Sequence, residues 1–163
     1  MKRTPALQPL SREHLTALLV ARDLKAADDL DAAAARFLTF WDEDGKYHFR
    51  IEEEVLLPGW AADGELDREG VARLAAEHLT IRSEALRLRA GRLSLTQVRA
   101  LGELLHDHVR FEERVLFPAA EAALDEESLA RLEAAIEAAE VEAERDGRCS
   151  GSGLAGEGRR GGS

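Results

Sequence analysis

The sequence predicts an all-α protein, an antiparallel up-down four-helix bundle followed by one additional C-terminal helix and a tail. Three observations predict it. Ala, Leu, Glu and Arg dominate the 163 residues, and these side chains lose little conformational entropy in a helix. Apolar residues recur every three or four positions, the spacing of one helix face, and no stretch shows the alternation of a strand. A two-helix unit also occurs twice, and two helical hairpins packed together close into a four-helix bundle.

Each element follows from local signals. The first helix is expected from Ser11, a good N-cap, to about Ala27. Asp28-Asp29-Leu30-Asp31 reads as a short connection. The second helix then runs from about Asp31 to Leu57, where Pro58-Gly59 should end it. Asp67 can cap a third helix that stops at Gly91, and Ser94 or Thr96 opens a fourth that ends before Pro118. Asp125-Glu126-Glu127-Ser128 starts a fifth helix, a packing or partner element, ending near Asp146-Gly147. Residues 1–146 thus form one helical bundle, and 147–163 a Gly/Ser-rich tail that cannot bury apolar surface and is expected to be disordered.

Composition excludes several functions. A net charge of −10 without a segregated basic patch disfavours nucleic acid. No apolar run approaches the roughly 20 residues that cross a bilayer. The opening Met1-Lys2-Arg3-Thr4-Pro5 lacks a signal-peptide core, so no membrane partner and a cytoplasmic location are expected. Cys149, the single cysteine, lies in the tail; it allows no internal disulfide or cysteine metal cage and reads as a spectator thiol.

The helix faces carry unexpected polar residues. Val71, Leu74, His78, Ile81, Ala85 and Leu88 form one stripe, and Leu101, Leu105, His108, Glu112 and Val115 another. Earlier in the chain the stripes are His14, Leu18 and Ala21, and Phe37, Trp41, Gly45, His48, Glu52 and Val55. The segment from His48 to Pro58 matches that from His108 to Pro118 at seven of eleven positions, and His-Leu-Thr precedes both copies, at His14 and His78. Antiparallel packing brings His14 level with His48 and His78 level with His108. In His-x-x-x-Glu the two side chains lie one turn apart on one face. His14, His48, Glu52, His78, His108 and Glu112 therefore converge on one core layer. Buried carboxylates without partners are costly, and two divalent metals would remove that cost. Mixed imidazole and carboxylate donors suit iron or manganese, with zinc also compatible.

Neighbouring residues have plainer readings. His106 points away from the core, and Glu53, Glu54 and Glu113 are rotated off it, most simply as solvated charges. Glu53, Glu113, Tyr47, Arg50 and Arg110 are nevertheless candidates to orient the ligands. Trp41, Phe37 and Phe111 are core residues or pocket walls.

The order His … His-x-x-x-Glu … His … His-x-x-x-Glu on four helices resembles the hemerythrin-like (HHE cation-binding) family over about residues 10 to 118. The resemblance implies two non-haem iron ions, carboxylate- and oxo-bridged, that bind O₂, peroxide or nitric oxide. His14 and His48 would serve one iron and His78 and His108 the other, with Glu52 and Glu112 bridging. In the oxygen-carrying members a second His stands one turn from the third-helix His, and the last bridging residue is an Asp one position later. Here Leu74 and Arg82 flank His78, which implies a more open centre that senses or handles iron, O₂, peroxide or nitric oxide. A peroxide-decomposing enzyme and a structural bundle with adventitious metal are the alternatives.

Overall fold

The computed structural model describes residues 2–147, and they form five helices joined by short turns, with no strand among the described residues. The expected disordered tail beyond Gly147, with Cys149, lies outside the described residues. A 3₁₀ turn at Pro5–Leu7 leads into α1, Gln8–Lys25. Helix α2 spans 30–63 as Leu30–Phe40, Lys46–Ile51 and Leu57–Asp63, joined by wide π-turns at Trp41–Gly45 and Glu52–Leu56. Helix α3 is Arg68–Arg89. Helix α4 spans 95–123 as Leu95–Phe111 and Phe117–Ala123, with a π-turn at Glu112–Leu116 between them. Helix α5 is Glu126–Arg145.

The expected caps are largely in place, because a short oxygen-bearing side chain satisfies otherwise unpaired first-turn N–H groups. Asp29, Asp67 and Asp125 accept from Ala32, Gly70 and Ser128, and Ser94 forms a reciprocal capping box with Gln97. Ser11 is not a cap. Helix α1 already begins at Gln8 with Pro9 in its first turn, where a missing N–H costs nothing.

The two prolines expected to end helices do not. Both α2 and α4 continue through Pro58 and Pro118 for a further turn. The N–H of Leu57 donates to the carbonyl of Glu52, and that of Phe117 to Glu112, each five residues back. The widened turn accommodates a ring that would collide with the i−4 carbonyl of a regular helix. It also inserts one residue into the register. Leu56 and Leu116 are therefore fully buried, whereas Val115, expected in the core, is 47% exposed and Val55 is half-buried.

Helix α1 packs against α2 and α4, and α3 against the same two. A Cβ on Gly102, early in α4, would meet Leu24 Cβ, the Ala21 carbonyl and the Lys25 N–H at 2.8–2.9 Å, late in α1. The two helices thus run antiparallel and cross where only glycine fits. Two apolar clusters lie along the bundle. One holds Ala17, Phe37, Phe49, Ile81, Leu105 and Val109. The other holds Leu10, Leu56, Leu74, Phe111, Leu116 and Phe117. Helix α5 covers the second cluster with Leu132 and Ile136, as expected of a packing element. The polar layer sits between them.

Candidate metal centre

All six residues singled out by the repeat converge in that layer, and each is at most 7% exposed. They fall into two groups. His14 and His48 meet with Nε2 atoms 3.0 Å apart, and His78 and His108 at 3.1 Å. Each glutamate gives one oxygen to each group. Glu52 Oε1 lies 3.2 Å from His48 Nε2, and its Oε2 lies 3.3 Å from His78 Nε2. Glu112 Oε2 lies 3.0 Å from His14 Nε2, and its Oε1 lies 3.0 Å from His108 Nε2. The remaining separations are 4.0 Å for His14 to Glu52 and 3.7 Å for His78 to Glu112.

These spacings match those of donors that share an ion. All four carboxylate oxygens of Glu52 and Glu112 are buried without a hydrogen-bond partner, a state that ordinary proteins avoid. Donors roughly 2.1 Å from one ion and at right angles to each other are about 3.0 Å apart. Both four-residue groups have donor atoms all within 4.8 Å of one another. Each group offers two nitrogens and two oxygens, a donor set that would suit a divalent metal.

The outer ring nitrogens are equally committed. His14 Nδ1 donates to Glu113 at 2.6 Å and His48 Nδ1 to Glu13 at 2.6 Å. His78 Nδ1 donates to Glu53 and His108 Nδ1 to Glu77, both at 2.8 Å. An ionised carboxylate can only accept, so Nδ1 carries the hydrogen and Nε2 faces inward. Two neutral imidazoles would meet lone pair to lone pair and two protonated ones N–H to N–H, so the facing Nε2 atoms of a pair bond each other only when a single proton is shared between them. A cation between them and the carboxylates resolves the conflict.

Without a metal, protons stand in for that cation. Burial lowers the histidine pKa values, but the carboxylates outweigh it. Glu112, Glu52 and Glu53 lift His78 to about 10, and Glu112 with Glu77 lifts His108 to about 9. His14 and His48 are raised by the same balance. Burial, and for Glu52 the neighbouring charge of Glu112, pushes the two glutamates up, yet the histidines hold both below the usual carboxylate range. Glu113 is opposed by burial and still drawn down to about 2 by His14, Ser11 and Arg3.

A cavity of about 20 Å³ adjoins the layer, lined by Ala17, Phe40, Gly45, Phe49, Leu105 and Val109 beside His14, His48, His108 and Glu112. Its size admits roughly one water-sized molecule. Position 45 leaves little room for a side chain, because a Cβ there would lie 3.0 Å from the rings of Phe40 and Trp41.

Several neighbours differ from their sequence readings. Glu53 and Glu113 are half-buried partners of the ligands, not solvated charges. Tyr47 instead donates to the Asp146 carbonyl in the turn after α5, Arg50 pairs with Glu54 at the surface, and Arg110 is exposed. His106 bonds Asp107, away from the layer. Of the aromatics, Trp41 stacks on Phe37 and Phe111 lies under Arg73, while the cavity walls are Phe40 and Phe49. Glu13 and Glu77 were missed. Their signal was present, since the repeat extends one residue upstream, to Glu-His-Leu-Thr at both 13–16 and 77–80.

No curated protein and no solved structure matches this chain. The family model described as the hemerythrin HHE cation binding domain matches residues 6–120. That range begins before α1 and ends beyond Pro118, in accord with the continuation of α4. The matched region contains all six convergent residues and covers well over half of the sequence, so the chain belongs to the hemerythrin HHE cation-binding family.

Proposed function

We propose that this protein holds two iron ions and binds a small oxidant or diatomic ligand beside them, namely O₂, peroxide or nitric oxide. One ion is held by His14 and His48, the other by His78 and His108, and Glu52 and Glu112 bridge them. The observation that carries this reading is the division of four unpartnered carboxylate oxygens between two facing imidazole pairs. Among the described residues the layer offers mixed nitrogen and oxygen donors, which suit iron, with manganese and zinc as competitors.

When bound, iron supplies open coordination positions and readily exchanged electrons. The chain's own residues do the rest. Glu13, Glu53, Glu77 and Glu113 fix the imidazole orientations by holding the Nδ1 hydrogens. The apolar walls around Ala17, Gly45, Phe49 and Val109 exclude bulk water and admit only a small ligand. Peroxide decomposition is the second reading. Glu13 and Asp44 also line the cavity, and carboxylates there can pass protons to or from a bound oxidant.

The test is metal analysis with visible absorption after expression in iron-supplemented cells. Two irons per chain, with bands that shift on adding peroxide, azide or nitric oxide, are expected. Rapid O₂ evolution would favour the enzyme, and a stable spectral change the binding protein. A colourless protein without iron would remove the redox function and leave the fold.

A further inference from the structure

Glu53, Glu77 and Glu113, which hold three of the histidines, are themselves each held by an arginine. Arg82 reaches Glu53 at 2.9 Å from within α3, one turn beyond His78, and Arg73 holds Glu77 at 2.7 Å. Glu113 is different. The position in α1 that matches Arg82 in the repeat is Leu18, which cannot supply a donor. The donor comes from outside the bundle, from Arg3, ahead of the first turn.

Arg3 is strongly engaged. Its Nη2 donates to the Glu113 carboxylate at 2.7 Å and to the Glu113 carbonyl at 2.8 Å. Nη1 donates to Glu121 at 2.9 Å, and Nε to Ser11 Oγ at 3.2 Å. The guanidinium also lies over the Phe117 ring, 5.3 Å from its centroid. Phe117 in turn stacks on His14, with centroids 5.4 Å apart and planes 19° from parallel. Glu121 completes the anchor by accepting from the Thr4 N–H at 2.8 Å and its hydroxyl at 2.9 Å. Arg3 therefore touches both groups that fix His14, the carboxylate at Nδ1 and the ring on its face. A planar fork that satisfies four acceptors at once does this better than an ammonium can.

We propose that Arg3 is a positioning residue for His14, a strap from the N-terminal segment that sets the seat of one ion and leaves the other untouched. The inference rests on the two-ion reading above. It predicts that metal binding by the two halves can be uncoupled from a residue that contacts neither ion.

The experiment uses the full chain loaded with ferrous iron under anaerobic conditions and challenged with a chelator. Wild type should release its two ions with similar difficulty. In Arg3→Gln one ion should be held about tenfold more weakly, the lower end of the 10–100-fold typical when a ligand's hydrogen-bond partner is disturbed. Arg3→Lys should recover part of the loss, and Arg82→Gln should weaken the other ion. Imidazole ¹⁵N spectra of the metal-free chain assign the half affected: in Arg3→Gln the His14 signals should move and those of His78 should not. Equal retention of both ions together with unmoved His14 signals would overturn the proposal. So would a lower melting temperature with both ions weakened equally, the mark of a purely structural residue. If wild type takes up no iron, the two-ion reading fails, and the metal-free spectra still decide whether Arg3 orients His14.

Discussion

Around His14 and His48 the chain carries Ala17 and Gly45; around His78 and His108 the aligned positions carry Ile81 and Leu105. Both small residues line the cavity, which Leu105 also borders, and Ile81 is fully buried. The stacking partners differ as well. Phe49 lies face to face on His78, with centroids 3.6 Å apart, whereas its counterpart in the repeat is Val109. Phe117 covers His14 more distantly, and its counterpart is Leu57. The ligands and their carboxylates are repeated, and the space around them is not. Duplication supplies a symmetric layer of candidate metal ligands, and unduplicated neighbours set where space is left beside it.

The largest test of that division removes a residue common to both halves. Glu112→Ala takes one oxygen from each group, so iron content should fall from two per chain toward none, measured by elemental analysis. Loss of only one ion would show that the halves are more independent than the shared carboxylates imply. Glu54→Ala, at an exposed position in the π-turn that follows His48, should keep both ions.

Protons compete with a metal in both halves, since all four histidine pKa values are raised. The folded pKa values of His78 and His108, about 10 and about 9, lie above the unfolded value of 6.5. In the metal-free chain this stabilisation is fully present below pH 6.5 and is lost as pH rises through 9 to 10. A metal needs the neutral nitrogen, so loading must displace protons. Apparent affinity should therefore climb by up to about tenfold per pH unit for each proton displaced, and level off above pH 10. Loading in weak buffer at pH 7.5 should acidify the solution. The metal-free chain should melt at a lower temperature at pH 10 than at pH 7.

The same contrast explains what could be read without coordinates. The six convergent residues were legible because a repeat of His and His-x-x-x-Glu on apolar faces has few other uses. The register after Glu52 and Glu112 was not. Counting by threes and fours assumes a regular helix, and the π-turns move the core from Val55 and Val115 to Leu56 and Leu116. Pro58 and Pro118 read as stops for the same reason, since the wide turn that tolerates them leaves no mark in composition. Glu53 and Glu113 point off the face by rotation, yet a glutamate is long enough to reach the imidazole of a neighbouring helix. Gly102 gave no hint of its role, because a helix crossing depends on a partner distant in sequence.

A smaller effect should follow from closing the cavity. Ala17→Ile copies into the first half what Ile81 supplies in the second. Both ions should remain, and azide or nitric oxide should bind at least about tenfold more weakly in a spectroscopic titration, with roughly 1–3 kcal/mol of overpacking strain. Unchanged ligand affinity would place the approach elsewhere. The reciprocal Ile81→Ala opens space beside His78 at a cost of about 2–5 kcal/mol, and should leave ligand affinity in the first half unchanged.

The smallest effect concerns the helix pairing that carries the first half. Gly102 lets α4 come within touching distance of α1, and the aligned position in α2 is Asp42, which is exposed enough to pair with Arg89. The α1–α4 approach is therefore another feature without a counterpart in the repeat. Gly102→Ala places a methyl group against the Ala21 carbonyl and the Lys25 N–H, backbone atoms that cannot swing aside. The chain should lose about 1–3 kcal/mol from overpacking, offset by at most about 1 kcal/mol from the better helix propensity of alanine. Thermal melts of the metal-free and iron-loaded forms measure the net loss. His14 lies about two turns from the crossing, so iron stoichiometry should stay at two. A drop to one would mean that the spacing of α1 and α4 sets the first ion's seat as directly as its ligands do.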